Sequence, residues 1–107
     1  MNLSSEHPHE YPAGTTPMAR DQVAALAREV PRWDPSDAGL TRVFSFSDFS
    51  ESFGFVTRVA LLAEAEGHHP DIKVSWSRVE LTFWTHTANG LTRNDFIMAA
   101  KVDALSG

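Results

Sequence analysis

Residues 44–72 read FSFSDFSESFGFVTRVALLAEAEGHHPDI, and the change of period along this run decides the fold. Its first residues close a strand, LTRVFSF over 40–46, in which Leu40, Arg42, Phe44 and Phe46 share one face and Thr41, Val43 and Ser45 the other. The period then turns helical. Ser47 or Asp48 is placed to cap, Asp48 and Glu51 have capping-box spacing, and Gly67 is placed to end the helix in a left-handed turn. Phe49, Phe53, Val56, Ala60 and Ala63 make one apolar stripe, and Phe55, Val59 and Leu62 make a second beside it. Together they exceed the roughly 100° of circumference that one core requires. We therefore expect one stripe against the chain's own sheet and the other against a second copy, in a homodimer or homotetramer.

The run ends in two adjacent histidines, His68 and His69, pinned between Gly67 and Pro70. Neighbouring side chains alternate faces on a strand and diverge by about 100° on a helix. Aiming both imidazoles at one pocket needs an irregular, fixed backbone, which a glycine and a proline supply.

Working outward, DIKVSW and RVELTFWTH read as two strands; Val79, Leu81 and Phe83 face one way, Glu80, Thr82, Trp84 and His86 the other. TANG is a turn, and LTRNDFIMAAKVDAL a final helix capped by Thr92, with Phe96, Ala99, Ala100 and Val102 inward. Upstream, Thr16 is placed to cap a helix with Pro17 in its first turn, ended near Arg28 or Glu29 by Pro31. PRWD then reads as a strand and PSDAG as its turn. The order α-β-β-α-β-β-α, with closely joined strand pairs, predicts an α+β domain: a single four-stranded antiparallel sheet covered by three helices. Residues 1–14, polar and broken by Pro8, Pro12 and Gly14, read as a flexible tail with solvated His7 and His9, and 15–107 as the domain.

The 107 residues suffice for one modest core. The chain has no cysteine, so disulfides, thiolate metal ligands and cysteine nucleophiles are excluded. A net charge of −5 argues against a nucleic-acid surface. No run is apolar enough for a membrane span, and the N-terminus lacks the pattern of a signal peptide, so the cytoplasm is the expected location.

His68 and His69 follow the negative end of a helix macrodipole, which favours a cationic imidazole suited to general acid chemistry. His86 comes 17 residues after His69, and two antiparallel strands between them would return it to the pair. A three-histidine zinc site is the rival, although adjacent histidines chelate poorly compared with i, i+4 or H-x-H pairs. We expect no metal and no cofactor. Glu64, four residues before His68, is placed either to orient an imidazole or to sit in solvent. Asp95 has the spacing of a capping box with Thr92 and need serve only the helix start. Trp76 is either core or an aromatic wall for a flat ligand.

The spacing Glu64, three residues, His68-His69-Pro70, five residues, Trp76, nine residues, His86, eight residues, Asp95 resembles the signature of the pterin-4a-carbinolamine dehydratases. Residues 44–72 and the stretch from Thr85 to Asp103 resemble that family's central and C-terminal blocks, so the likeness spans about 17–105. Trp76 stands where the family often has tyrosine, and Gly67 where some relatives carry an acidic residue. The resemblance implies a dehydratase that removes water from 4a-hydroxytetrahydropterin to give quinonoid dihydropterin, a reaction that also runs unaided, in the recycling of tetrahydropterin. It implies His68 and His86 as the acid/base pair, His69 with Pro70 and Trp76 around the pterin, and Glu64 and Asp95 assisting through hydrogen bonds. It also implies the alternative of a non-catalytic module, since relatives act as a transcription-factor dimerisation cofactor or as rubisco assembly chaperones. Retention of all three histidines favours the enzyme.

Overall fold

Asp48 caps the longest helix, α2 (Phe49–Glu66), by accepting the Glu51 N–H at 2.8 Å, while the Glu51 carboxylate accepts the Ser47 N–H at 2.9 Å. Two orphan donors at the helix start are thereby satisfied. At the other end Gly67 adopts φ 75°, a left-handed cap that costs glycine nothing, and its N–H returns to the Ala63 carbonyl. These observations come from a computed structural model that describes residues 2–106.

Around α2 lie α1 (Arg20–Ala27), β1 (Asp34–Ser36), β2 (Gly39–Ser45), β3 (Asp71–Ser75), β4 (Arg78–Phe83) and α3 (Arg93–Ser106), with short 3-10 turns at Leu3–Ser5 and His86–Ala88. The strands form one antiparallel sheet in the order β1-β2-β4-β3. The protein is therefore an α+β domain with one four-stranded sheet and three helices in the expected order. Leu40 opposes Phe83 and Phe44 opposes Val79 across β2 and β4, so one face of the sheet is apolar. It packs on Phe55 and Val59 of α2 and Phe96 and Val102 of α3, all fully buried. Each such large side chain stabilises the fold by roughly 1.5–3 kcal/mol. The opposite face, carrying Val43 and Ser45, is open.

The first strand is displaced from its predicted place. After α1 the chain continues through i→i+3 turns, with Trp33 N–H on the Val30 carbonyl, so the first three residues of PRWD are a turn that buries Trp33. Its indole Nε1–H donates to Asp103 at 2.8 Å, and the strand begins only at Asp34. Pro35 is tolerated because β1 is an edge strand. Gly39, at φ 131°, fixes the hairpin: a Cβ there would lie 2.6 Å from the Phe83 carbonyl oxygen. Helix α1 also starts later than Thr16. Residues 17 and 18 are engaged elsewhere, Pro17 over Gly90 and Met18 N–H on the Leu91 carbonyl. Ala19 N–H donates instead to the Gln22 side chain at 3.0 Å.

The reading of 1–14 as a flexible tail is corrected. Leu3 is buried at 3 % exposure in the main core, and Lys101 Nζ donates to the Ser4 carbonyl. Arg93 forks onto Glu6 through Nε (2.7 Å) and Nη2 (2.6 Å). That hydrogen bond holds the Glu6 carboxyl below its usual range. The fork's contribution is thus present above the ordinary carboxylate value and is lost only as pH falls through the lowered one. His7 is no free imidazole either, since Nδ1 lies 2.9 Å from Glu66. The segment covers a second side of α3, which explains why Ile97 and Met98 are buried along with Phe96 and Ala99.

On α2 the two predicted stripes part only at the N-terminal end. Phe55 and Val59 of one stripe and Ala63 of the other are buried, and Val56 packs on the core, whereas Phe49 (49 % exposed) and Phe53 (54 %) meet at a tilt in solvent. Among the described residues, no helix is long and apolar enough to cross a membrane.

Candidate active site

The left-handed turn at Gly67 sends the two histidines in different directions. His68 turns inward: its side chain is 13 % exposed, and its ring lies parallel to Phe83 with centroids 6.1 Å apart. His69 stays at the surface, where its Nε2 meets the Glu64 carboxylate at 2.6 Å. With Glu64 78 % exposed, that pair orients the ring and adds little stability.

Inside, His68 Nε2 lies 2.6 Å from Asp95 Oδ1. Asp95 is fully buried, and its other oxygen accepts the Thr85 hydroxyl (2.8 Å) and the Thr92 N–H (2.9 Å). Asp95 therefore caps α3, as its spacing predicted, and holds His68 as well. A carboxylate with these neighbours only accepts, so the proton on His68 sits at Nε2. Thr85 donates to Asp95, so the Thr92 hydroxyl, 2.8 Å away, donates to Thr85. The chain Thr92–Thr85–Asp95–His68 has one consistent direction, and it leaves His68 Nδ1 free.

His86 reaches the same end of the sheet from β4, whose last residues pair with the first of β3. After β4, Thr85 and Gly90 exchange backbone hydrogen bonds (3.1 and 3.4 Å) around the 3-10 turn His86–Ala88, and Asn89 closes the loop at φ 50°. His86 is exposed and makes no side-chain hydrogen bond among the described residues.

His68, His69, Pro70 and His86 line one open cavity of about 510 Å³. This lies within the range of small-molecule pockets and is ample for a bicyclic heterocycle. Asn94, Asp71 and Trp84 are among its other walls, with His9, Glu10 and Tyr11 from the N-terminal segment. A neighbouring cavity of about 590 Å³, lined by Pro17, Val23, Leu91 and Arg20, shares only Trp84 with it. It is the larger but holds no imidazole, and we place the chemistry in the smaller.

Of the predicted site residues, Glu64 and Asp95 act on the imidazoles from outside the cavity wall. Trp76 is not brought to the site. It is 75 % exposed at the tip of the β3–β4 hairpin with φ 55°, a whole strand's length from the histidines. The aromatic residue beside them is Trp84. Sequence reasoning also missed Thr85, which has no marker beyond its place next to His86, and the N-terminal residues. Among the described residues, no three or more His, Asp or Glu groups are arranged to hold a metal ion.

This arrangement has relatives. Residues 16–105 match the family described as "Pterin 4 alpha carbinolamine dehydratase". A Methylococcus capsulatus protein named "Putative pterin-4-alpha-carbinolamine dehydratase" is 47 % identical over 95 residues, covering 87 % of this chain and 83 % of its own. A Chlorobium limicola protein of the same name is 46 % identical over 94 residues, covering 84 % of this chain and 83 % of its own. A crystal structure from Brucella melitensis, titled as a transcriptional coactivator/pterin dehydratase, superposes with a TM-score of 0.80 at 36 % identity. It covers 86 % of this chain and 100 % of its own.

Proposed function

Because the chain belongs to the pterin 4 alpha carbinolamine dehydratase family, we propose that it dehydrates 4a-hydroxytetrahydropterin to quinonoid dihydropterin, serving tetrahydropterin recycling. The observation that carries this reading is the shared cavity of His68, His69 and His86, with His68 held in one tautomer by Asp95.

The substrate carbon bears a hydroxyl and a ring nitrogen. One imidazolium delivers a proton to the hydroxyl, the C–O bond breaks with its electron pair leaving on water, and the nitrogen lone pair forms the C=N bond. A neutral imidazole accepts the N–H proton, so the sum is loss of one water with no change of oxidation state. His68 and His86 fill these two roles. Nδ1 of His68 is turned away from Asp95, and neither nitrogen of His86 is engaged among the described residues. His69, braced by Glu64, positions the heterocycle beside Pro70. A positioned acid or base contributes about 10²–10⁴-fold, an adequate scale for a reaction that also proceeds unaided.

The test is a spectrophotometric assay of carbinolamine dehydration. The protein is expected to raise the rate above background in proportion to its concentration, and a rate equal to background would refute the proposal.

We further propose self-association through the exposed N-terminal part of α2. Phe49 and Phe53 form an exposed aromatic pair, a patch that water disfavours. Light scattering after size exclusion is expected to give a dimer or tetramer at micromolar concentration; a clean monomer contradicts it.

A further inference from the structure

We propose that the N-terminal segment, upstream of the region that matches the family, is a strap that completes the pterin cavity, with Glu10 and Tyr11 as substrate-contacting residues. The inference rests on the pterin reading above.

His9, Glu10 and Tyr11 line the same cavity as His68 and His86. They are held there by contacts on each side of it. Before them, His7 pairs with Glu66 in the last turn of α2, immediately upstream of the histidine pair. At His9 itself, the Asn94 side chain imitates a strand neighbour: its Oδ1 accepts the His9 N–H at 2.9 Å and its Nδ2–H donates to the His9 carbonyl at 2.6 Å. Beyond them, Gly14 N–H donates to the carbonyl of Thr87, in the turn that carries His86. The backbone thus bridges the cavity from α3 to the His86 turn. Further back, the Glu6–Arg93 fork and the buried Leu3 anchor it to the body of the protein.

A segment with no part in the site has no need of anchors on all three of its walls. Tyr11 is half-buried and offers a ring to a flat heterocycle, and Glu10 offers a carboxylate to the N–H donors of a pyrimidine edge. Tyr11 thereby adds a second aromatic ring to the wall that Trp84 begins.

The experiment is titration calorimetry of the full-length protein with biopterin, a stable oxidised pterin, alongside hydrogen exchange and dehydration kinetics. Tyr11→Ala is expected to weaken biopterin about five- to tenfold and to raise KM with kcat retained at saturation. Glu10→Gln is expected to act in the same direction. Backbone amides of residues 9–14 are expected to gain protection when biopterin binds. If both variants bind as wild type does while His69→Ala weakens binding, the strap only packs and the inference falls, leaving the pterin reading intact. Absence of biopterin binding to the wild type would remove both.

Discussion

His86→Ala is expected to slow dehydration at least about tenfold, the usual worth of a positioned acid or base being about 10²–10⁴-fold, and to melt as the wild type does. The second half follows from exposure: His86 makes no side-chain hydrogen bond within the described residues, so its removal strands no partner. His68→Ala is expected to lose a comparable factor in kcat but to differ in stability. It leaves the buried Asp95 carboxylate with one donor fewer, a loss of about 1–3 kcal/mol. The contrast between two histidines of one cavity is itself diagnostic. If both act on the same proton transfers, the double variant is little slower than either single one, because groups that act as a unit are not additive. Wild-type rates in both single variants would eliminate the acid/base assignment.

The largest stability effect is expected at Asp95. Truncation to alanine leaves the Thr92 N–H, the Thr85 hydroxyl and the His68 Nε2–H without their acceptor in a fully buried place. Unsatisfied buried groups cost about 1–3 kcal/mol each. With partial relaxation the total is about 3–5 kcal/mol, and α3 loses its cap. Thermal or urea unfolding measures it, and a loss below about 1 kcal/mol would contradict a buried three-donor carboxylate. Asp95→Asn separates structure from chemistry. If the amide oxygen keeps Thr85 and Thr92, the amide N–H₂ faces His68, and Nε2 must become the acceptor. The proton then moves to Nδ1, and that nitrogen changes from acceptor to donor. The variant is expected to stay folded, to lose kcat more than substrate affinity, and to show the changed tautomer in the nitrogen chemical shifts of His68. Unchanged shifts together with unchanged kcat would reduce Asp95 to a helix cap.

Elements whose signals are local were legible in the sequence. Asp48, Glu51 and Gly67 mark the ends of α2 by short-range hydrogen bonds and a backbone preference, and the observed boundaries follow them. The inward faces of β2 and β4 follow from alternation of Leu40, Phe44, Val79, Leu81 and Phe83, while the pairing of these two strands, which are not neighbours in sequence, carries no such local signal. What was misread depends on distant partners. Glu6 and His9 look like solvated tail residues until Arg93 and Asn94, more than eighty positions away, reach them. Trp76 was misplaced because a spacing pattern does not say where a hairpin turns, and the register of β3 on β4 puts it at the tip. In the site, the spaced motif marked His68, His69 and His86 and the two carboxylates that hold His68 and His69, but not His9, Glu10 or Asp71, which line the same cavity. Thr85, whose role is to donate one hydrogen bond in a buried chain, carries no such mark.

Three successive residues at the start of α3 point in three directions: Arg93 to Glu6, Asn94 to the backbone of His9, Asp95 to His68. A single helical turn is thus the common hinge pin for the N-terminal arm and the inward imidazole. Displacing it by even the length of a hydrogen bond would unlatch both together, so the pocket is armed or disarmed as a whole and not one wall at a time.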